Sequence, residues 1–291
     1  MMRTSMSSLF VALAALLVAA PWAVGQSSDG LSAEEKGQAI MEKINALPRW
    51  ERVATSTVLK IYDKQDKLLF TKRTRGARYF RDYNDPGKRL QNSITYFYAP
   101  ADDKGNGSLN IEHEDSDDDE QYLYLKQTRK VRRIIGSSKK DDFFGSDFAL
   151  GDVVRRRIQD YHFKWLSEET VDFKGKKLKV QKVESVFKDP TKRDDWGEGK
   201  SVIYIHQASG LVFKAERYNL QMQLHKVMTL KGFSKHKNRD GKSVYGVAQI
   251  EMKTIARGTR SVFTIKEAKY ENDAGFDAAI FSTDSLTRKW W

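Results

Sequence analysis

Between Ser32 and Leu47 the apolar residues Ile40, Met41, Ile44 and Leu47 recur at helical spacing, and Pro48 ends the run. Ser32 followed three residues later by Glu35 is a capping-box pattern, so the spacing predicts an amphipathic helix over 32–47. Beyond it the hydrophobic period shortens to two. Strands are predicted at 53–62, 67–80, 93–99, 108–112, 121–125 and 129–135, and again at 177–187, 201–206, 212–218, 221–233, 244–254 and 261–268. Asp63-Lys-Gln-Asp66 and Gln207-Ala-Ser-Gly210 read as turns between them. Alternation is plain over 221–233, where Met222, Leu224, Met228 and Leu230 share a parity that Lys226 breaks. From Phe144 to Tyr161 the pattern loosens, with a short helical turn predicted across 147–154. Strands in such number and at such regular spacing predict a mainly β protein built on one large, curved or partly closed antiparallel sheet.

Met1 to Gly25 reads as a secretory signal peptide. Arg3 supplies the positive start, 9–20 is an uncharged apolar run, and Ala23 and Gly25 stand at the small-residue positions before cleavage near Gln26. The run is shorter than the ~20 residues a spanning helix needs. The expectation is an exported, periplasmic protein, associated with membranes peripherally if at all, with 26–291 as a single domain. No repeat, linker or shift of composition marks a second one. The chain has no cysteine, which leaves no disulfide and no lipoprotein anchor at the cleavage site.

The formal net charge of +12 favours an anionic partner. Export makes nucleic acid the least suitable of these, leaving acidic polymers or lipid headgroups; charge that merely keeps the protein soluble is an equal alternative. Catalytic and metal patterns are weak. Gly199-Lys-Ser201 and Gly241-Lys-Ser243 lack the first glycine of a phosphate loop and precede strands rather than helices. The five histidines are scattered singly, without a zinc-binding spacing. In a twelve-residue calcium loop counted from Asp102, through Asp102-Asp-Lys-Gly-Asn-Gly107, Lys104 takes the third position and His113 the twelfth, where carboxylates are needed; calcium stays open only for the acidic run from Glu112 to Glu120. The chain therefore reads as no enzyme, with no cofactor and no metal.

The most informative stretch runs from Tyr122-Leu-Tyr-Leu-Lys-Gln-Thr-Arg-Lys-Val-Arg-Arg-Ile-Ile-Gly136 to Asp142-Phe-Phe-Gly-Ser-Asp-Phe148. A strand pair leads into an aromatic loop. Arg129, Lys130, Arg132 and Arg133 read either as a solvated strand end or as a patch for an anionic headgroup or a docking partner. Phe143, Phe144 and Phe148, with Tyr122 and Tyr124, read either as core or as lipid contacts. Gly145 is expected to permit a conformation that a β-carbon resists, and Ser146 or Asp147 to cap the following turn.

This wording resembles the signature of the outer-membrane lipoprotein-sorting, LolA-like family. Ile94-Thr-Tyr-Phe-Tyr-Ala-Pro100 with Lys104-Gly-Asn-Gly107, Gly210-Leu-Val-Phe-Lys214 and Phe281-Ser-Thr-Asp-Ser-Leu286 extend the likeness over most of the chain. Lys126 replaces the usual proline, and Ala149-Leu-Gly151 a more acidic, aromatic stretch. The resemblance implies an incomplete antiparallel β-barrel closed by a few helices around an apolar cavity. It implies a periplasmic carrier of lipid or lipoprotein acyl chains, or an accessory to an exporter of the RND/MMPL type in the inner membrane. A non-catalytic extracytoplasmic sensor or structural binding protein on the same fold is the alternative.

Overall fold

The computed structural model describes residues 30–288 and 290; the expected signal peptide and the expected cleavage near Gln26 lie outside the described residues. The predicted helix is present as α1, Ala33–Asn45. The Ser32 hydroxyl accepts from the Glu35 amide at 3.2 Å, and the Glu35 carboxylate accepts from the Ser32 amide at 2.8 Å, which completes the capping box. One face of α1 buries Ile40 and Ile44 against Tyr161, Phe163, Val183, Phe187 and Ile205. Gly37 sits where a β-carbon would lie 2.8 Å from the Trp165 backbone nitrogen, so glycine lets the helix approach the strand beneath it closely.

Thirteen strands follow. They are β1 (Arg52–Tyr62), β2 (Leu68–Arg81), β3 (Leu90–Ala99), β4 (Gly107–Ile111), β5 (Glu120–Leu125), β6 (Lys130–Arg133), β7 (Tyr161–Phe173), β8 (Lys176–Phe187), β9 (Lys200–His206), β10 (Leu211–Tyr218), β11 (Leu224–Lys237), β12 (Ser243–Thr254) and β13 (Thr259–Tyr270). A short helix, α2 (Pro190–Trp196), stands between β8 and β9. All strands belong to one sheet in the order β6-β5-β4-β3-β2-β1-β13-β12-β11-β10-β9-β8-β7. Neighbours pair antiparallel throughout, and β1 with β13 joins the two halves of the meander. The two ends, β6 and β7, do not pair, so the barrel is incomplete.

Residues 134–160, which connect those two ends, carry part of the core. Phe143, Phe148, Leu150 and Ile134 pack on Leu59, Ile61, Phe97 and Met252, side chains of the middle strands. The C-terminal Phe281 and Leu286 cover Ala77, Ile94 and Leu109, on the opposite parity of β2, β3 and β4 from Gly76, Thr95 and Ser108. Two elements go beyond the sequence reading. β7 alternates buried and exposed positions along Tyr161, His162, Phe163 and Lys164, as a half-buried strand should. α2 is capped by Asp189, whose carboxylate accepts from the Thr191 amide at 2.7 Å, starts on Pro190, and ends on Gly197 at φ +62°.

Candidate functional site

The sheet's inner face, α1 and residues 134–160 line an open-sided cavity of about 680 Å³. Its walls follow from strand register. Thr55 pairs with Gly76, Gly76 with Thr95 and Thr95 with Ser108, which sets small side chains in a row across β1 to β4. On the other half, Phe263, Ile250 and Met228 face it from β13, β12 and β11, followed by Ala215 and Ile203 from β10 and β9. One wall is thus small and hydroxylic, the other apolar.

Six arginines also line the cavity, Arg49, Arg78, Arg89, Arg155, Arg156 and Arg217, against one carboxylate, Asp152. Four of them are held. Arg156 makes a bidentate pair with Glu198 at 2.7 and 2.8 Å, and Asp152 contacts both Arg156 and Arg217. Arg155 donates to Glu112 at 2.7 Å and to the Arg89 carbonyl at 2.8 Å. Arg89 donates to the carbonyls of Tyr83 and Leu47. Arg49 and Arg78 make no ion pair among the described residues.

The sequence-predicted residues divide around this site. Phe143 and Phe148 are buried and reach the cavity wall. Phe144 packs instead on Phe97 and Phe143, with ring centroids 4.3 and 4.8 Å apart. Tyr122 and Tyr124 pack beside Leu109 and Leu286, on the parity of β5 opposite to Leu123, and not on the cavity. Arg129, Lys130, Arg132 and Arg133 are exposed on the end hairpin, and none lines the cavity.

The aromatic loop turns as expected at Gly145, with φ +73°, but Phe144 takes φ +50° beside it. With the Ser146 amide donating to the Phe143 carbonyl at 3.1 Å, this is a mirror-image β-turn. The expected cap is not formed by Ser146 or Asp147. The Ser146 hydroxyl donates backward to the Phe143 carbonyl, and the Ala149 amide is taken by Asp152. Asp147, almost wholly buried, accepts from Thr259, Ser261 and Arg257, because the loop lies on β13 and its carboxylate finds those donors before any amide of its own turn.

Three carboxylates of the acidic run are committed to the protein. Glu112 pairs with Arg155, Asp119 accepts from Arg157 at 2.7 Å, and Asp117 pairs with Lys192 at 2.7 Å. Among the described residues no group of three or more potential ligands is arranged to hold a metal ion. Arg155 and Arg157 thus fasten residues 134–160 to the β4–β5 connection, while Arg156 between them reaches Glu198 ahead of β9.

A family model described as that of an uncharacterized protein matches residues 89–288, most of the chain. The chain belongs to that family, and its fold is LolA-like. A candidate outer membrane lipoprotein-sorting protein domain from Vibrio parahaemolyticus superposes with a TM-score of 0.75 at 23% identity, covering 88% of this chain and 100% of that one. A DUF1329 family protein from Desulfovibrio piger gives 0.74 at 22% identity, with the same coverage. A LolA superfamily protein from Nitrosomonas europaea gives 0.60 at 18% identity, covering 88% of this chain and 99% of that one. No curated protein matches the sequence. At these identities the likeness is one of fold, and the LolA-like fold is what the chain shares.

Proposed function

We propose that the protein is an exported, periplasmic carrier that shelters acyl chains of a lipid or lipoprotein in the cavity under residues 134–160, and that it catalyses no reaction. The cavity is the observation that carries this reading. Its 680 Å³ lies in the range of ~300–1,000 Å³ of small-molecule sites, and half its wall is aliphatic or aromatic. Each methylene moved from water into such a site contributes about 0.8 kcal/mol, so a chain of ordinary length is held without any covalent step. Phe143 and Phe148 belong to the wall in this reading. The exposed Arg129–Arg133 hairpin is a docking patch for an anionic surface or for a partner such as an RND/MMPL-type exporter.

The row of Thr55, Gly76, Thr95 and Ser108 favours a second reading, a non-catalytic binding protein whose ligand is a polymer or a peptide with polar groups. Native mass spectrometry of the protein recovered from the periplasm, with extraction of what it carries, separates the two. A co-purifying amphiphile supports the carrier; a bound peptide or saccharide supports the alternative.

A further inference from the structure

Arg78 stands on the inner face of β2, between Val53 of β1 and Ser93 of β3 in the register, and lines the cavity. Its Nε is shielded from solvent and has no hydrogen-bond partner, and among the described residues its guanidinium makes no ion pair. Arg49, entering from the segment after α1, lines the cavity as well, and among the described residues its guanidinium donates to the Ile44 carbonyl at 3.3 Å. Its strongest electrostatic neighbours are Arg89, Arg78 and Arg155; burial first, and these cations next, pull it down to about 10. Arg155 is neutralised by Glu112, and Arg156 by Glu198, so the uncompensated charge is that of Arg49, Arg78 and Arg89.

A guanidinium withdrawn from water without a counter-charge is strongly unfavourable, and arginine keeps its proton under all ordinary conditions. The rest of the molecule shows what the chain does with other inward arginines: Arg155, Arg156, Arg157 and Arg217 each meet a carboxylate. Arg78 and Arg49 point into space large enough for a ligand instead. The planar, forked donor set of arginine suits a carboxylate or phosphate.

We infer that Arg78 and Arg49 bind the anionic group of an amphiphile whose chain lies along the apolar wall, so that the cargo is an acyl or alkyl anion oriented head-inward. This rests on the carrier reading and adds the class of cargo and its polarity. It places the headgroup site inside the cavity and not on the exposed Arg129–Arg133 hairpin.

The test is displacement of a neutral fluorescent acyl probe from the purified protein by three ligands of equal chain length: decanoate, decyl phosphate and decanol. At least one anion should displace the probe at a concentration about tenfold or more below that of decanol, as a charge-assisted hydrogen bond in a shielded site provides. The stronger anion identifies the carboxylate or the phosphate as the natural group. Arg78→Met should bring the anions to parity with decanol while leaving decanol within about twofold of wild type. Arg49→Met should reduce the preference in the same direction, which keeps the test available if the first variant does not fold. Equal displacement by all three ligands overturns the headgroup site and leaves the acyl carrier standing, as does a preference that survives both substitutions. Absence of any probe binding overturns the carrier reading and this inference with it.

Discussion

The Asp147 carboxylate accepts the Ser261 hydroxyl at 2.7 Å, while the same hydroxyl oxygen accepts the Asp147 amide at 2.9 Å. This reciprocal pair, with Thr259 on the other carboxylate oxygen at 2.5 Å, fixes the aromatic loop to β13. Phe143 and Phe148 are thereby held against the cavity.

Asp147→Ala should therefore lower stability by about 1–3 kcal/mol, since it leaves buried donors on β13 unsatisfied. Gly145→Val should cost about 1–2 kcal/mol for a different reason. Nothing lies within 4 Å of its β-carbon position, so the penalty is the left-handed backbone alone. Thermal or denaturant unfolding of both variants checks this; an unchanged midpoint for Asp147→Ala would show that the loop is not pinned by its carboxylate.

Lys226 gives a pH dependence of definite sign. Buried on the inner face, it donates to the Asp147 carbonyl at 2.7 Å, and burial first, then Arg217, pushes its ammonium down to about 8 from 10.5. Between those values the unfolded chain holds the proton and the folded protein has released it, so stability rises with pH across this window. Measured as the difference between wild type and Lys226→Gln, the gain from pH 8 to pH 10 should be about 1–2 kcal/mol. Lys139, pushed down to about 8 chiefly by burial, is common to both proteins and cancels in that difference. A difference that falls with pH would contradict the assignment.

Much of the sheet is legible from hydropathy, because a strand with one buried face must alternate. The same rule explains the misreadings. Lys226 breaks the parity of Met228 and Leu230 yet keeps their face, buried, because a carbonyl of the loop waits for its ammonium. Met222 has the right parity and the wrong place: at φ +59° it belongs to the turn, and β11 begins at Leu224. In β7 the aromatic start, Tyr161, Phe163 and Trp165, gives way after a bulge to Ser167, Glu168, Glu169 and Thr170, polar residues suited to an end strand, which dilute the signal. α2 carries its Asp-Pro start and glycine stop in the sequence but is too short to show a period.

The site was harder to see than the fold, for a physical reason. A cavity wall is made by pairing, and pairing is not written in any one strand. Thr55, Gly76, Thr95 and Ser108 become neighbours only through the register of β1 to β4. Arg78 lies among Arg73, Arg75 and Arg81, and nothing local distinguishes the arginine that turns inward without a partner. Conversely, the clustered Arg129, Lys130, Arg132 and Arg133 attract notice in the sequence and lie exposed on the end hairpin.

The central claim is that the space beneath residues 134–160 holds an acyl chain, and filling that space tests it most directly. Ala268, on β13 opposite Thr55, lines the cavity, and Ala268→Trp would occupy it with an indole. Titration of a fluorescent acyl probe into wild type and Ala268→Trp, each with its unfolding midpoint measured, is the decisive experiment. The account predicts saturable one-to-one binding by wild type and affinity weaker by about tenfold or more in Ala268→Trp, which corresponds to about 1.4 kcal/mol, with the midpoint of the variant close to that of wild type. Equal probe binding by the two folded proteins would contradict it.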